Sequence, residues 1–167
     1  NKEFKLGMQI MQAGHPINCT YHAEDSHGAI ERFLTAYLAE SGNEPSHLAL
    51  KTLTRLLNII IVQKLMRDGT RKVIQISEVV GVRPDNPNEP LLNDLFIFDI
   101  DDEPEYDRAG NVVRIKGKHK RVGRLSDKTI RKFKLEGVST KLYRFLLEDP
   151  GNDSETYTGQ ISAEYGV

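Results

Sequence analysis

Residues 59–80 read Ile-Ile-Ile-Val-Gln-Lys-Leu-Met-Arg-Asp-Gly-Thr-Arg-Lys-Val-Ile-Gln-Ile-Ser-Glu-Val-Val. Two β-branched runs flank Asp68-Gly69, and Asp-Gly fits the tight turns whose twist matches that of paired antiparallel strands. The stretch predicts a β-hairpin. Downstream, Pro84, Pro87 and Pro90 break the chain before Leu92-Asn93-Asp94-Leu95-Phe96-Ile97-Phe98, which reads as a further strand. A turn at Ala109-Gly110-Asn111 returns the chain through Val112, Val113 and Ile115. Ser126 or Asp127 caps a short helix over Ile130 and Phe133, and Leu142, Phe145, Leu146 and Leu147 predict a last helix. A loose tail is expected from Pro150 onward.

Upstream of the hairpin, Phe4, Met8 and Met11 recur at helical spacing and Gly14 marks a stop. Residues 17–23, with Ile17, Thr20 and Tyr21, suit a strand. Ser26 is the expected N-cap of a helix carrying Ile30, Phe33, Leu34, Tyr37 and Leu38, closed by Gly42. Pro45 and Ser46 open another helix whose Leu48, Leu50, Leu53, Leu56 and Leu57 read as core or subunit interface. There is no internal repeat. The chain lacks an initiating Met and opens inside an expected helix, which predicts a fragment boundary there.

The 167 residues, 38% of them hydrophobic, are enough for one ordinary core. The single cysteine, Cys19, excludes an internal disulfide framework and favours a reducing compartment. The net charge of −1 conceals an asymmetry: residues 114–134 hold ten Lys or Arg against one acid, Asp127, in a chain with 24 acids overall. An acidic run from Asp99 to Asp107 precedes this stretch. Such a layout calls for an internal charge partner or an external anionic one. Only Phe133 lies within the basic stretch, too little aromatic surface for stacking bases, so nucleic acid is disfavoured.

Three motifs stand in order: Gly14-His15 with Thr20-Tyr21-His22-Ala23 and Ala29-Ile30-Glu31-Arg32-Phe33; then Arg67-Asp68-Gly69-Thr70-Arg71 with Ile76-Ser77-Glu78-Val79-Val80-Gly81; then residues 92–98. Together they resemble the histidine box and C-terminal signature of type II/IV secretion ATPases of the CpaF-like branch, which serves Flp/Tad-type pili. The likeness covers residues 3–98 well and the basic remainder loosely. It implies an α/β fold, the later half of a RecA-like P-loop core over residues 1–100, followed by a basic extension over 101–149 and a flexible tail over 150–167. It also implies a ring of identical subunits docked on a platform protein at the cytoplasmic face of the inner membrane, converting ATP hydrolysis into mechanical work.

The sequence departs from the family in places. No G-x-x-x-x-G-K-[ST] loop occurs, and the backbone amides and Lys of that loop are what hold the β- and γ-phosphates. The acidic strand that organises Mg²⁺ is absent as well, so ATP and Mg²⁺ are expected only in a full-length protein and no cofactor in the isolated chain. Ile17 replaces a frequent Gly, and Glu24-Asp25 replaces the usual Asn-Ser.

The resemblance gives His22 the role of γ-phosphate sensor, since an imidazole can donate to a phosphate oxygen and lose that contact after hydrolysis. Thr20 and His15 are lesser nucleotide-binding candidates, with local capping as the alternative. Glu3, Arg32, Arg71 and Glu78 are read as structural or interface residues: Arg32 anchoring its helix to carboxylates, Glu78 pairing with Arg71. His15, Cys19, His22 and His27 are rejected as a zinc set because their spacing follows no closed site. The alternative to a motor fragment is a binding module that docks an acidic protein or anionic lipid through Lys118, Lys120, Arg121 and Arg124.

Overall fold

In the computed structural model, residues 3–101 and 103–150 are described. Three helices come first: α1 (Glu3–Gln12), α2 (Ser26–Ser41) and α3 (Ser46–Leu56). Helix α1 stops before Gly14 and α2 before Gly42, as the glycines predict. The cap of α2 is Asp25, whose carboxylate accepts the Gly28 N–H at 2.7 Å. Ser26, the expected cap, is instead the first helical residue and fully buried. A carboxylate that accepts in this geometry also complements the helix dipole, which a hydroxyl does not.

The hairpin forms as predicted. Strand β1 (Ile59–Leu65) pairs antiparallel with β2 (Arg71–Val82), from Ile59 opposite Glu78 to Leu65 opposite Arg71, with one irregularity at Val62/Gln63. Gly69 takes φ 78° at the turn, a conformation that costs glycine least. The predicted third strand is β3 (Pro90–Ile100), antiparallel to β2. A two-stranded ribbon, β4 (Glu105–Tyr106) with β5 (Val112–Arg114), surrounds the predicted turn.

The basic run supplies a strand that periodicity does not announce. Strand β6 (Gly117–Arg121) pairs with β3, giving one antiparallel sheet in the order β1-β2-β3-β6. Helix α4 (Asp127–Leu135) follows, capped by the Ser126 side chain as expected. The expected last helix is replaced by two 3₁₀ turns, Thr140–Leu142 and Arg144–Leu146. No strand forms over residues 17–23, contrary to expectation: the segment runs without secondary structure, and no backbone group of residues 16–24 bonds to another backbone group among the described residues. A β-prone sequence becomes a strand only when a partner edge is present. The tail expected beyond Pro150 lies outside the described residues.

The chain is thus a mixed α/β fold with two apolar clusters. The first joins Met8, Ile30, Phe33, Leu50 and Leu53 of the helices to Val79 of β2, with Ile60, Val82 and Leu92 at its margin. Phe4 meets Phe33 edge-on at 5.0 Å between ring centres. Leu53 is 1% exposed, and its truncation to Ala would cost roughly 2–5 kcal/mol. The second cluster gathers Leu95 of β3 with Leu125 and Tyr143, flanked by Ile130 and Phe133 of α4. Among the described residues no helix is long and apolar enough to cross a membrane.

Candidate functional site

The segment 19–23 and strand β1 together line a groove of about 440 Å³. Cys19, Thr20, Tyr21, His22 and Ala23 contribute to it from the segment, residues 59–63 from the strand, Ala29 and Phe33 from α2, and Arg71 from the start of β2. Thr20, His22 and Arg71 are all exposed. The sequence singled out Thr20 and His22 as nucleotide-site candidates, and the fold brings them into this groove. Arg71, read as structural, joins them there. His15, Glu3 and Arg32 are exposed and do not line it.

Strand β1 is an edge strand, with no described strand on its outer side. Its Ile61 is 62% exposed and Leu65 58%. A long apolar edge without charge at its centre is a ready template for another strand.

What holds the segment against the sheet is a chain of buried and half-buried polar groups. The Ser77 hydroxyl donates to Asp94 Oδ1 at 2.5 Å, so its oxygen accepts from the Ser26 hydroxyl at 2.7 Å. Gln75 donates to the same Asp94 oxygen at 2.9 Å and accepts the Ser26 N–H at 3.1 Å. The N-terminus of α2, and with it the exit of residues 19–23, is thereby pinned to the middle of β2 and β3. Tyr21 donates to the Ala29 carbonyl at 3.2 Å and packs its ring, tilted by 52°, against Phe4. Burial lifts its phenol to about 12, with Arg32 acting in the opposite direction and Cys19 adding to the rise. Arg32 is exposed and makes no ion pair among the described residues, so the expected anchoring to carboxylates is not formed.

No protein-family model and no curated protein matches the chain.

Glu78 does not pair with Arg71, which stands at the far end of β2. The carboxylate is fully buried and accepts the Ser126 hydroxyl at 2.5 Å, the Ser126 N–H at 2.9 Å and the Asn93 amide at 3.0 Å. Burial alone would raise its pKa, but bonds from Ser126, Thr129 and Asn93 outweigh this and hold it below the ordinary value. Lys128, two residues on, donates to the carbonyls of Val79 at 2.9 Å, Thr54 at 3.2 Å and Val80 at 3.3 Å. Desolvation lowers its pKa, the Glu78 charge opposes that fall, and Lys132 adds to it. These groups fasten α4 to the sheet and leave no accessible carboxylate for chemistry. The pairing was hidden in the sequence because Glu78 and Ser126 lie 48 residues apart.

Many of the basic residues have partners within the fold. Lys116 pairs with Glu105, Lys120 with Asp99, and Arg124 with Asp149 at 3.4 Å. Arg121 donates to the Glu148 carbonyl at 2.6 Å, and Lys132 to Asn58 at 3.1 Å. Lys118, exposed on β6, has no ion pair among the described residues. Among the described residues no group of three or more His, Cys, Asp and Glu side chains converges as a metal site would require.

Proposed function

We propose that the chain is the C-terminal part of a RecA-like ATPase of the CpaF-like secretion and pilus-assembly type. The observation that carries the reading is the groove itself. An unpaired, β-prone segment bearing Thr20 and His22, and an open apolar strand edge, line the same cleft. That is what a sheet leaves behind when one of its strands is supplied from elsewhere in the sequence, because both neighbours then lose their hydrogen-bond partners.

RecA-like cores are built around parallel strands, whereas the four-stranded sheet here is antiparallel throughout. In this reading the described strands are the closing edge of the core. Residues 17–23 and a strand encoded upstream complete its parallel part. The upstream strand seats in the groove and ends in the phosphate-binding loop, which brings the γ-phosphate to His22. ATP and Mg²⁺ belong, in this reading, to a phosphate-binding loop and an acidic strand of the full-length protein. His22 donates to the γ-phosphate and loses the contact once it leaves, with Thr20 assisting and His15 more remote. The surrounding assembly is a ring of subunits on a platform protein at the cytoplasmic face of the inner membrane.

ATP turnover tests the reading. A longer product carrying the upstream sequence should hydrolyse ATP, and His22→Ala should lower kcat by about 100-fold while leaving ATP affinity nearly unchanged. The 167-residue chain should show no hydrolysis above background. Equal losses in binding and turnover would make His22 structural, and hydrolysis by the short chain would overturn the reading.

A further inference from the structure

We propose that Arg71 completes an oxyanion site in this groove and binds the phosphoryl oxygens of a phosphate group together with Thr20 and His22. The inference rests on the phosphate-sensing role of His22 and adds a residue the motifs did not assign to it. Two observations support it. Among the described residues no Asp or Glu lines the groove, although the chain carries 24 acids, and Arg71 is the one Lys or Arg there. The Arg71 side chain is also exposed and has neither a hydrogen bond nor an ion pair among the described residues.

Its position is well supported. Arg71 opens β2 opposite Leu65, just past the turn that Asp68 closes by accepting from both the N–H and the hydroxyl of Thr70. The second Asp68 oxygen accepts the Ile115 N–H at 2.7 Å and ties the hairpin tip to the end of β5. A guanidinium held on such a strand offers a planar fork of donors that matches phosphate, to which Thr20 adds a hydroxyl and His22 a ring N–H.

The test is a ¹H–¹⁵N titration of the 167-residue chain with inorganic phosphate and, separately, tripolyphosphate, at ionic strength fixed with chloride. Saturable shifts should appear at Thr20, His22 and Arg71. Arg71→Gln should weaken phosphate binding about tenfold, and Arg71→Lys by less, since Lys keeps the charge and loses the fork. Lys118→Gln should change nothing, and unchanged amide spectra away from the groove show that each variant is folded. If Arg71→Gln leaves the affinity intact while His22→Ala weakens it, Arg71 is not part of the site and the sensor reading stands. Shifts that follow chloride equally, or that map only to residues 114–124, would overturn the site, whatever the longer product's turnover shows.

Discussion

The Glu78 carboxylate and Ser126 are joined by two hydrogen bonds, one from the hydroxyl at 2.5 Å and one from the backbone N–H at 2.9 Å, which tie the middle of β2 to the cap of α4. Because the carboxylate is buried, its partners cannot turn to water if it is removed. Glu78→Ala should therefore cost about 2–4 kcal/mol in urea unfolding. The folded pKa lies below the ordinary 4.5. The ionised form thus contributes stability that is fully present above that value and is lost as pH falls below it through the folded value. Glu78→Gln should flatten the stability profile in that acid window. A profile as steep as the parent's would assign the effect to other carboxylates.

Ser77 offers a second test. Ser77→Ala leaves the buried Ser26 hydroxyl without its acceptor and Asp94 without one of its donors, so a cost of about 1–3 kcal/mol is expected. Amide shifts should spread into residues 19–28, because this network sets where the segment leaves the sheet. Shifts confined to β2 and β3 would mean that the segment is held by Tyr21 packing alone.

Local chemistry made part of the fold legible: Asp68-Gly69 announced the hairpin, Gly14 and Gly42 the helix stops, and Ser126 the cap of α4. Long-range chemistry did not show. Gly-Lys-His-Lys-Arg reads as a solvated basic run, yet it becomes β6 because β3 offers an edge, Lys120 finds Asp99, and Gly123 permits a close approach to the Asp94 carbonyl that a side chain would block. Residues 17–23 fail in the opposite sense: they have strand composition, yet no backbone hydrogen bond joins them to a strand edge among the described residues. Thr20 and His22 were visible as site candidates through their motif. Arg71 reads as structural, and its place in the groove was not visible, because nothing in the sequence tells which side of a hairpin meets a segment fifty residues away.

The basic stretch can be tested on vesicles. Lys116, Lys120 and Arg124 have acidic partners in the fold, which favours an internal counter-charge. On that basis the chain should bind anionic and phosphatidylcholine vesicles equally weakly at 0.1 M salt, where screening acts within about 10 Å. Lys120→Glu should lower stability by about 0.5 kcal/mol more than Lys118→Glu. Binding to anionic vesicles alone that falls steeply with salt, and is lost on reversing Lys118, Lys120, Arg121 and Arg124, would establish the lipid-docking alternative.

Hydrogen exchange at the two walls of the groove asks most directly whether a strand from upstream sequence seats there. The amides of Thr20, Tyr21 and His22, and those of residues 59–63 that face away from β2, should exchange rapidly in the 167-residue chain. In the longer product both sets should slow together, by at least about 100-fold. Rapid exchange at both segments in the longer product, or protection of one without the other, would contradict a shared strand between them.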